Sequence, residues 1–175
     1  MTGRGAPPAD AAITGAPAPW VIHCDGSAVP NPGRMGLGAV LTGPDGVVRH
    51  QISQATHFTG CNNEAELRAL LAALQWLTAA PPEAEATPAR LRVVSDSSLL
   101  VQQLGPQPGA PIVRLAPLVD AVRSALQPFA GVELVWVPRH RNTQADALAR
   151  AALGLAPKAS ARPPSKNHKS KAKRM

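Results

Sequence analysis

Apolar and polar positions fall in short blocks through the first third of the chain, then settle into a longer period. Trp20-Val-Ile-His-Cys-Asp25 is a short, mostly apolar run ending in Asp25-Gly26, which predicts a strand entering a turn. Asn31-Pro-Gly33 predicts a second turn and Gly36 to Thr42 a strand of small residues. Pro44-Asp-Gly46 is a hairpin signal leading into a third strand over Val47 to Ser53. From Asn62 to Ala80 the period changes. Leu67, Leu70, Leu71, Leu74 and Leu77 recur three and four residues apart, the stripe of an amphipathic helix, and Pro81-Pro82 stops it. The stretch through Pro88 reads as a loop. Leu91 to Ser95 predicts a fourth strand, and Ser97 to Leu104 a short helix closed by Gly105-Pro106. Val113 to Leu126 reads as a helix, Val132 to Val137 as a fifth strand, and Asn142 to Leu153 as a last helix ended by Gly154. The order βββαβααβα, a meander followed by alternating strands and helices, predicts an α/β fold. Its mixed five-stranded sheet is flanked by helices. No internal repeat is visible.

Composition sharpens this picture in two places. Aromatic residues are only 3% of the 175, so Leu, Val and Ala must fill the core. The net charge of +7 is unevenly spread: seven Lys and Arg and no acid lie from Lys158 onward, leaving eleven Arg against eleven Asp and Glu before it. A neutral body with a basic end predicts three parts: a disordered Ala/Pro/Gly-rich leader (1–19), one folded domain (20–156) and a disordered basic tail (157–175). Such a tail buries no core and is drawn to phosphate in a salt-sensitive way. No run of about 18 apolar residues exists, so no membrane span is expected. Cys24 and Cys61 lack metal-ligand spacing and suit a reducing, cytoplasmic setting as inert thiols.

Four acids stand where local structure does not obviously need them. Asp25 ends the first apolar run, Glu66 lies one turn into the long helix, Asp96 follows the fourth strand, and Asp146 starts the last helix. Strand ends and helix starts on one sheet edge can bring such residues together. Carboxylates so packed repel unless something compensates, and divalent cations that prefer oxygen ligands compensate well. Each acid also has a local reading: an Asx turn at Asp25-Gly26, a capping box of Asn63 with Glu66, a helix cap at Asp96, and a helix-dipole companion at Asp146. Spacing alone leaves both open.

The motifs together resemble a known family. Asp25-Gly26-Ser27, then Asn31-Pro32-Gly33 with Gly36, resembles the opening of type 1 ribonucleases H. Cys61-Asn62-Asn63-Glu64-Ala65-Glu66-Leu67 is similar to the family's NN-x-x-EL helix start, Ser95-Asp96-Ser97 to its third-acid motif, and Asn142 to Ala149 to its N-x-x-x-D-x-LA ending. The resemblance runs in order from Trp20 to Leu155. It implies an RNase H-like fold and two-metal hydrolysis of the RNA strand of RNA–DNA hybrids, leaving 5′-phosphate and 3′-hydroxyl ends. Asp25, Glu66, Asp96 and Asp146 would bind two Mg²⁺ ions, with Mn²⁺ as a substitute. Backbone groups of Gly26, Ser27, Asn31 and Gly33 and the Asn63 side chain would face the RNA minor groove, where the 2′-hydroxyl distinguishes RNA. Asn62 and Ser97 would lie towards the groove or the DNA strand, and Asn142 would also belong to the substrate-binding set. A monomer is expected, with the tail touching nucleic acid.

The chain departs from the family pattern at three places. Well-studied members carry a histidine on a loop about ten residues before the last acid; here His140 stands six residues before Asp146, in Val137-Pro-Arg-His-Arg-Asn142. That shortened loop is similar to a compact subgroup with a VPR-x-x-N motif. From it His140 would either reach the site as a proton carrier or only decorate the surface, and Arg139 and Arg141 would be placed to touch phosphate. The basic protrusion of some members is absent, since Gly105 to Pro111 is uncharged. Cys61 stands where many members place Thr in a DNA-phosphate pocket, and a thiol is a poor partner for phosphate. Two other readings remain at this level: a catalytically idle hybrid- or RNA-binding module, and a related nuclease of the same fold.

Overall fold

The computed structural model describes residues 18–79 and 90–158. Its elements are β1 (Trp20–Val29), β2 (Gly33–Thr42), β3 (Val48–Gly60), α1 (Asn62–Thr78), β4 (Arg90–Ser95), α2 (Ser98–Leu104), α3 (Ala116–Leu126), β5 (Gly131–Trp136) and α4 (Thr143–Ala151). Single 3₁₀ turns over Val113–Leu115 and Arg139–Arg141 precede α3 and α4. The expected order βββαβααβα is the observed one. The leader and the tail beyond Lys158, and the loop through Pro88, lie outside the described residues.

The five strands form one mixed sheet in the order β3-β2-β1-β4-β5. β1 pairs antiparallel with β2 and parallel with β4; β2–β3 is antiparallel and β4–β5 parallel. Parallel neighbours need a crossover, and α1 and the α2–α3 pair provide the two. The leucine stripe behaves as its spacing predicts. Leu67, Leu70, Leu74 and Leu77 are buried, Leu71 packs at the core margin, and Ala65, Ala69 and Ala73 fill the gaps between them. They meet Ile22, Cys24, Met35, Leu37, Ala39 and Leu41 from β1 and β2, with Trp20 and Phe129 as the buried aromatic residues.

Four local expectations are corrected. Asp25-Gly26 is no turn: β1 runs on to Val29, because β2 supplies ladder partners all the way from Val21↔Thr42 to Val29↔Arg34. Pairing likewise starts β2 at Gly33 instead of Gly36. β3 continues to Gly60 rather than ending at Ser53, since Gln54, Ala55, Thr59 and Gly60 all pair with β2. As an edge strand it is largely exposed and shows no strong apolar alternation. Asn63 and Glu66 do not form a capping box either, because α1 starts two residues before Asn63 would allow, with Cys61 as its N-cap and no side-chain capping bond.

The two faces of the sheet receive different helices, and glycine decides how closely. A Cβ on Gly26 would overlap the backbone of Ala65 and Glu66, so the first turns of α1 rest directly on β1. A Cβ on Gly38 would overlap the Ala145 carbonyl of α4 in the same way. Gly26 pairs with Leu37, the neighbour of Gly38, and neighbouring strand residues face opposite sides. Hence α1 and α4 clasp the middle of the sheet from opposite faces.

Candidate active site

The register of the sheet brings the acids together. The parallel ladder between β1 and β4 pairs His23 with Val94. Two residues beyond that last pair, Asp25 and Asp96 follow on the two chains, and their charges act on each other. Gly26 seats the α1 backbone at Glu66, and Gly38, the antiparallel partner of Asp25, seats the α4 backbone beside Asp146. Asp25 therefore stands at the centre, with one acid arriving from each of three other elements.

Local structure releases these side chains from other duties. Ser97, not Asp96, caps α2, its side chain accepting from the Leu100 amide at 3.2 Å. Asp25 is buried and, among the described residues, accepts only the Gly26 amide at 2.9 Å. Burial first, then the charge of Asp96, pushes its carboxyl up to about 8; the Gly26 amide opposes the rise, and Asp146 and Glu66 add to it. Burial also raises Glu66, with Asp96 adding to the shift and the Ser97 side chain and Arg139 offsetting part of it. The Glu66 Oε2 atom is buried without a hydrogen-bond partner.

Positive charge of the chain itself is drawn to this centre. Arg139 Nε sits 3.2 Å from Asp96 Oδ2, and Lys158 Nζ donates to Asp146 Oδ1 at 2.9 Å. Among the described residues no three acid, histidine or cysteine side chains close into a ready-made ion cage. That follows from repulsion: Asp96 and Asp146 each turn to a cation of the chain while Asp25 stays among its neighbours.

The expected substrate residues spread over a wider area. Asn62 Oδ1 accepts the Ala28 amide at 2.7 Å, and the Asn62 amide donates to Asn31 Oδ1 at 3.2 Å, which ties the β1–β2 turn to the start of α1. Ser27 and Asn63 are half-buried, on β1 and in the first turn of α1. Gly33 packs against Pro30 and lets the turn close. The space where a Gly26 side chain would stand is occupied by α1. His140 is exposed on the 3₁₀ turn. Arg141 is exposed too, but lines a hollow with His23, Val94 and Val137, whereas Arg139 reaches Asp96. Asn142 is only 2% exposed, and its side chain is committed inside the protein.

Comparison with known proteins agrees with this architecture. The reverse transcriptase-like family matches residues 23–152. The chain belongs to that family. Its fold is RNase H-like: the N-terminal RNase H domain of Rv2228c from Mycobacterium tuberculosis superposes with a TM-score of 0.68 at 33% identity, over 77% of this chain and 98% of that one. RNase H1 from Halobacterium salinarum NRC-1 gives 0.69 at 28% identity, over 78% and 98%. LC11-RNase H1, solved in complex with an RNA/DNA hybrid, gives 0.69 at 27%, over 77% and 96%. Among curated proteins, the bifunctional protein Rv2228c of Mycobacterium tuberculosis is 34% identical over 142 residues, 81% of this chain. The chain spans 37% of the length of that relative.

Two residues of this RNase H-like domain escaped the sequence reading as parts of the site. Trp136 ends β5, 53% exposed, with its indole N–H on the Asp96 carbonyl at 3.1 Å. An aromatic residue at a strand end was visible, but nothing local marks it as a neighbour of Asp96. Lys158 stands out in the sequence only as the first basic residue of the expected tail. Gly154, with φ +72°, reverses the chain after α4, and Arg150 Nε holds the Ala156 carbonyl at 2.7 Å, so that Lys158 returns to Asp146.

Proposed function

We propose that this chain hydrolyses the RNA strand of RNA–DNA hybrids with two divalent cations, leaving 5′-phosphate and 3′-hydroxyl ends, as a compact type 1 ribonuclease H. The observation that carries the reading is Asp25. It is a buried carboxylate pushed up to about 8, with three further acids contributing to the shift, in a chain with an RNase H-like fold. A group in that state needs added positive charge before it can ionise at neutral pH.

The donor set fits Mg²⁺ or Mn²⁺, which take oxygen ligands and retain water. Glu66 Oε2 is buried with no partner, and Asp25 Oδ2 lies outside the hydrogen bond made by Gly26. Asp25, Glu66, Asp96 and Asp146 would hold the ions, which when bound supply Lewis acidity to an attacking water and to the departing ribose 3′-oxygen. The rest is work for the chain. Arg139, once divalent charge replaces it at Asp96, is an exposed guanidinium free to meet a phosphate. His140, exposed on the neighbouring turn, is placed as a proton carrier. Ser27, Asn31, Gly33 and Asn63 would read the RNA minor groove, with Asn62 bracing them from beneath. The basic tail would add salt-sensitive attraction to the hybrid. LC11-RNase H1 holding a hybrid on the same fold supports this choice of substrate.

The test is cleavage of a labelled RNA–DNA hybrid beside matched single-stranded RNA, duplex RNA and duplex DNA, with Mg²⁺, Mn²⁺ or EDTA. Cutting confined to the hybrid and dependent on metal is expected. Asp96→Asn should abolish turnover while keeping hybrid binding. Salt-sensitive binding with no cutting under either metal would overturn the enzyme reading in favour of a binding module.

A further inference from the structure

Asn142 begins α4, and Asn is among the residues that most often cap a helix through the side chain. Here it does not. Its backbone carbonyl accepts the Asp146 amide at 3.1 Å, but its side chain makes no capping bond to its own helix. The Nδ2 group donates instead to two acceptors far away in sequence: the Cys24 carbonyl at 2.9 Å and Asp96 Oδ1 at 2.8 Å. Cys24 directly precedes Asp25. One buried amide thus joins the three segments that carry Asp146, Asp25 and Asp96.

The chemistry permits only one orientation of that amide. Both partners of Nδ2 are acceptors, so flipping the group would set Oδ1 against two oxygens. The consequence is visible on the other side, where Asn142 Oδ1 is buried with no partner. An unmet buried acceptor is costly, on the order of 1–3 kcal/mol in general. A neutral donor also does what a cation cannot. It fixes the direction of the Asp96 carboxylate without neutralising it, whereas Arg139 meets the other oxygen with charge and from an exposed position.

We propose that Asn142 is a positioning residue for the acidic centre, its amide setting where Asp96 presents its outer oxygen relative to Asp25. The inference rests on the metal-binding reading above. It differs from a substrate-contact role, because the side chain is too buried to meet a hybrid. It differs from a helix cap, because no capping bond is made.

The experiment measures Mn²⁺ and Mg²⁺ binding to the full chain by calorimetry, with thermal melting alongside, for wild type, Asn142→Ala, Asn142→Ser and Gln103→Ala. Gln103 is buried and bonds the Ala110 carbonyl beside α2, away from the acids, so its loss reports destabilisation alone. Asn142→Ser keeps a residue that starts helices well and is read wherever Asn142→Ala fails to fold. Loss of an orienting partner behind a metal ligand weakens metal affinity about 10- to 100-fold. That loss is expected in the Asn142 variants at temperatures where they remain folded, and not in Gln103→Ala. Equal affinity in wild type and Asn142 variants overturns the inference and leaves the functional reading intact. A parallel loss in Gln103→Ala overturns it too, as general loosening. Absence of binding in wild type removes both.

Discussion

Asp25 carries two burdens that reinforce each other, burial within the sheet and the company of three other acids. Its carboxyl is raised from 3.8 to about 8 in the folded protein, so the folded form holds the proton more tightly than the unfolded chain does. Between about pH 4 and pH 8 the unfolded state then binds fewer protons, and stability falls as pH rises through that window. In metal-free solution this group should therefore lower the melting temperature progressively from pH 4 to 8. Asp25→Asn should melt several degrees higher than wild type at pH 8 and lose that part of the pH dependence. Adding Mg²⁺ at pH 8 should raise the wild-type melting temperature but not that of Asp25→Asn. A flat wild-type melting profile would show that Asp25 ionises freely. The identity of this acid was plain in the sequence. Its perturbation was not, since burial depends on β2, β4 and both flanking helices.

At the scale of elements, helices were far more legible than strand ends. The leucines of α1 carry a period of their own, and the structure buries them as that period predicts. The second half of β3 had no such signal, because an edge strand needs few apolar side chains. Glycine spacing was the least readable feature. Gly26 looks like a turn or groove residue and Gly38 like one small residue of a strand, and they are seats for α1 and α4. Gly26→Ala is expected to push Ala65 and Glu66 off β1, at a cost of about 1–3 kcal/mol, the usual price of overpacking. Melting or denaturant unfolding would measure the loss, and metal affinity should weaken with it as Glu66 moves away from Asp25. An unchanged midpoint would show that α1 can shift freely.

For the whole molecule, four of the eleven acids gather at one site, and the basic end of the sequence begins beside it at Lys158. Lys158, the first of the seven basic residues from there on, lies on Asp146 at 2.9 Å with its side chain nearly half exposed. Partly exposed pairs of this kind contribute up to about 1 kcal/mol. A divalent ion at Asp146 has to displace that ammonium. Lys158→Ala is thus expected to bind Mg²⁺ about two- to fivefold more tightly, as read by calorimetry at low ionic strength, with the gap narrowing as salt screens the pair. Equal affinities at all salt concentrations would exclude competition by Lys158.

By itself the sequence determined the features that local chemistry encodes, namely the helical stripe, the order of strands and helices and the scarcity of aromatic residues in the core, while its ordered motifs only pointed to the four acids. Tertiary structure decided the rest. That Asp25 and Asp96 share one site follows from a strand pairing across some seventy residues, and Asn142 serves β1 across a separation of 118. No local pattern carries such pairings, because register is set by how distant strands and helices pack together. Only once they pack does an ordinary aspartate become a buried acid that calls for positive charge.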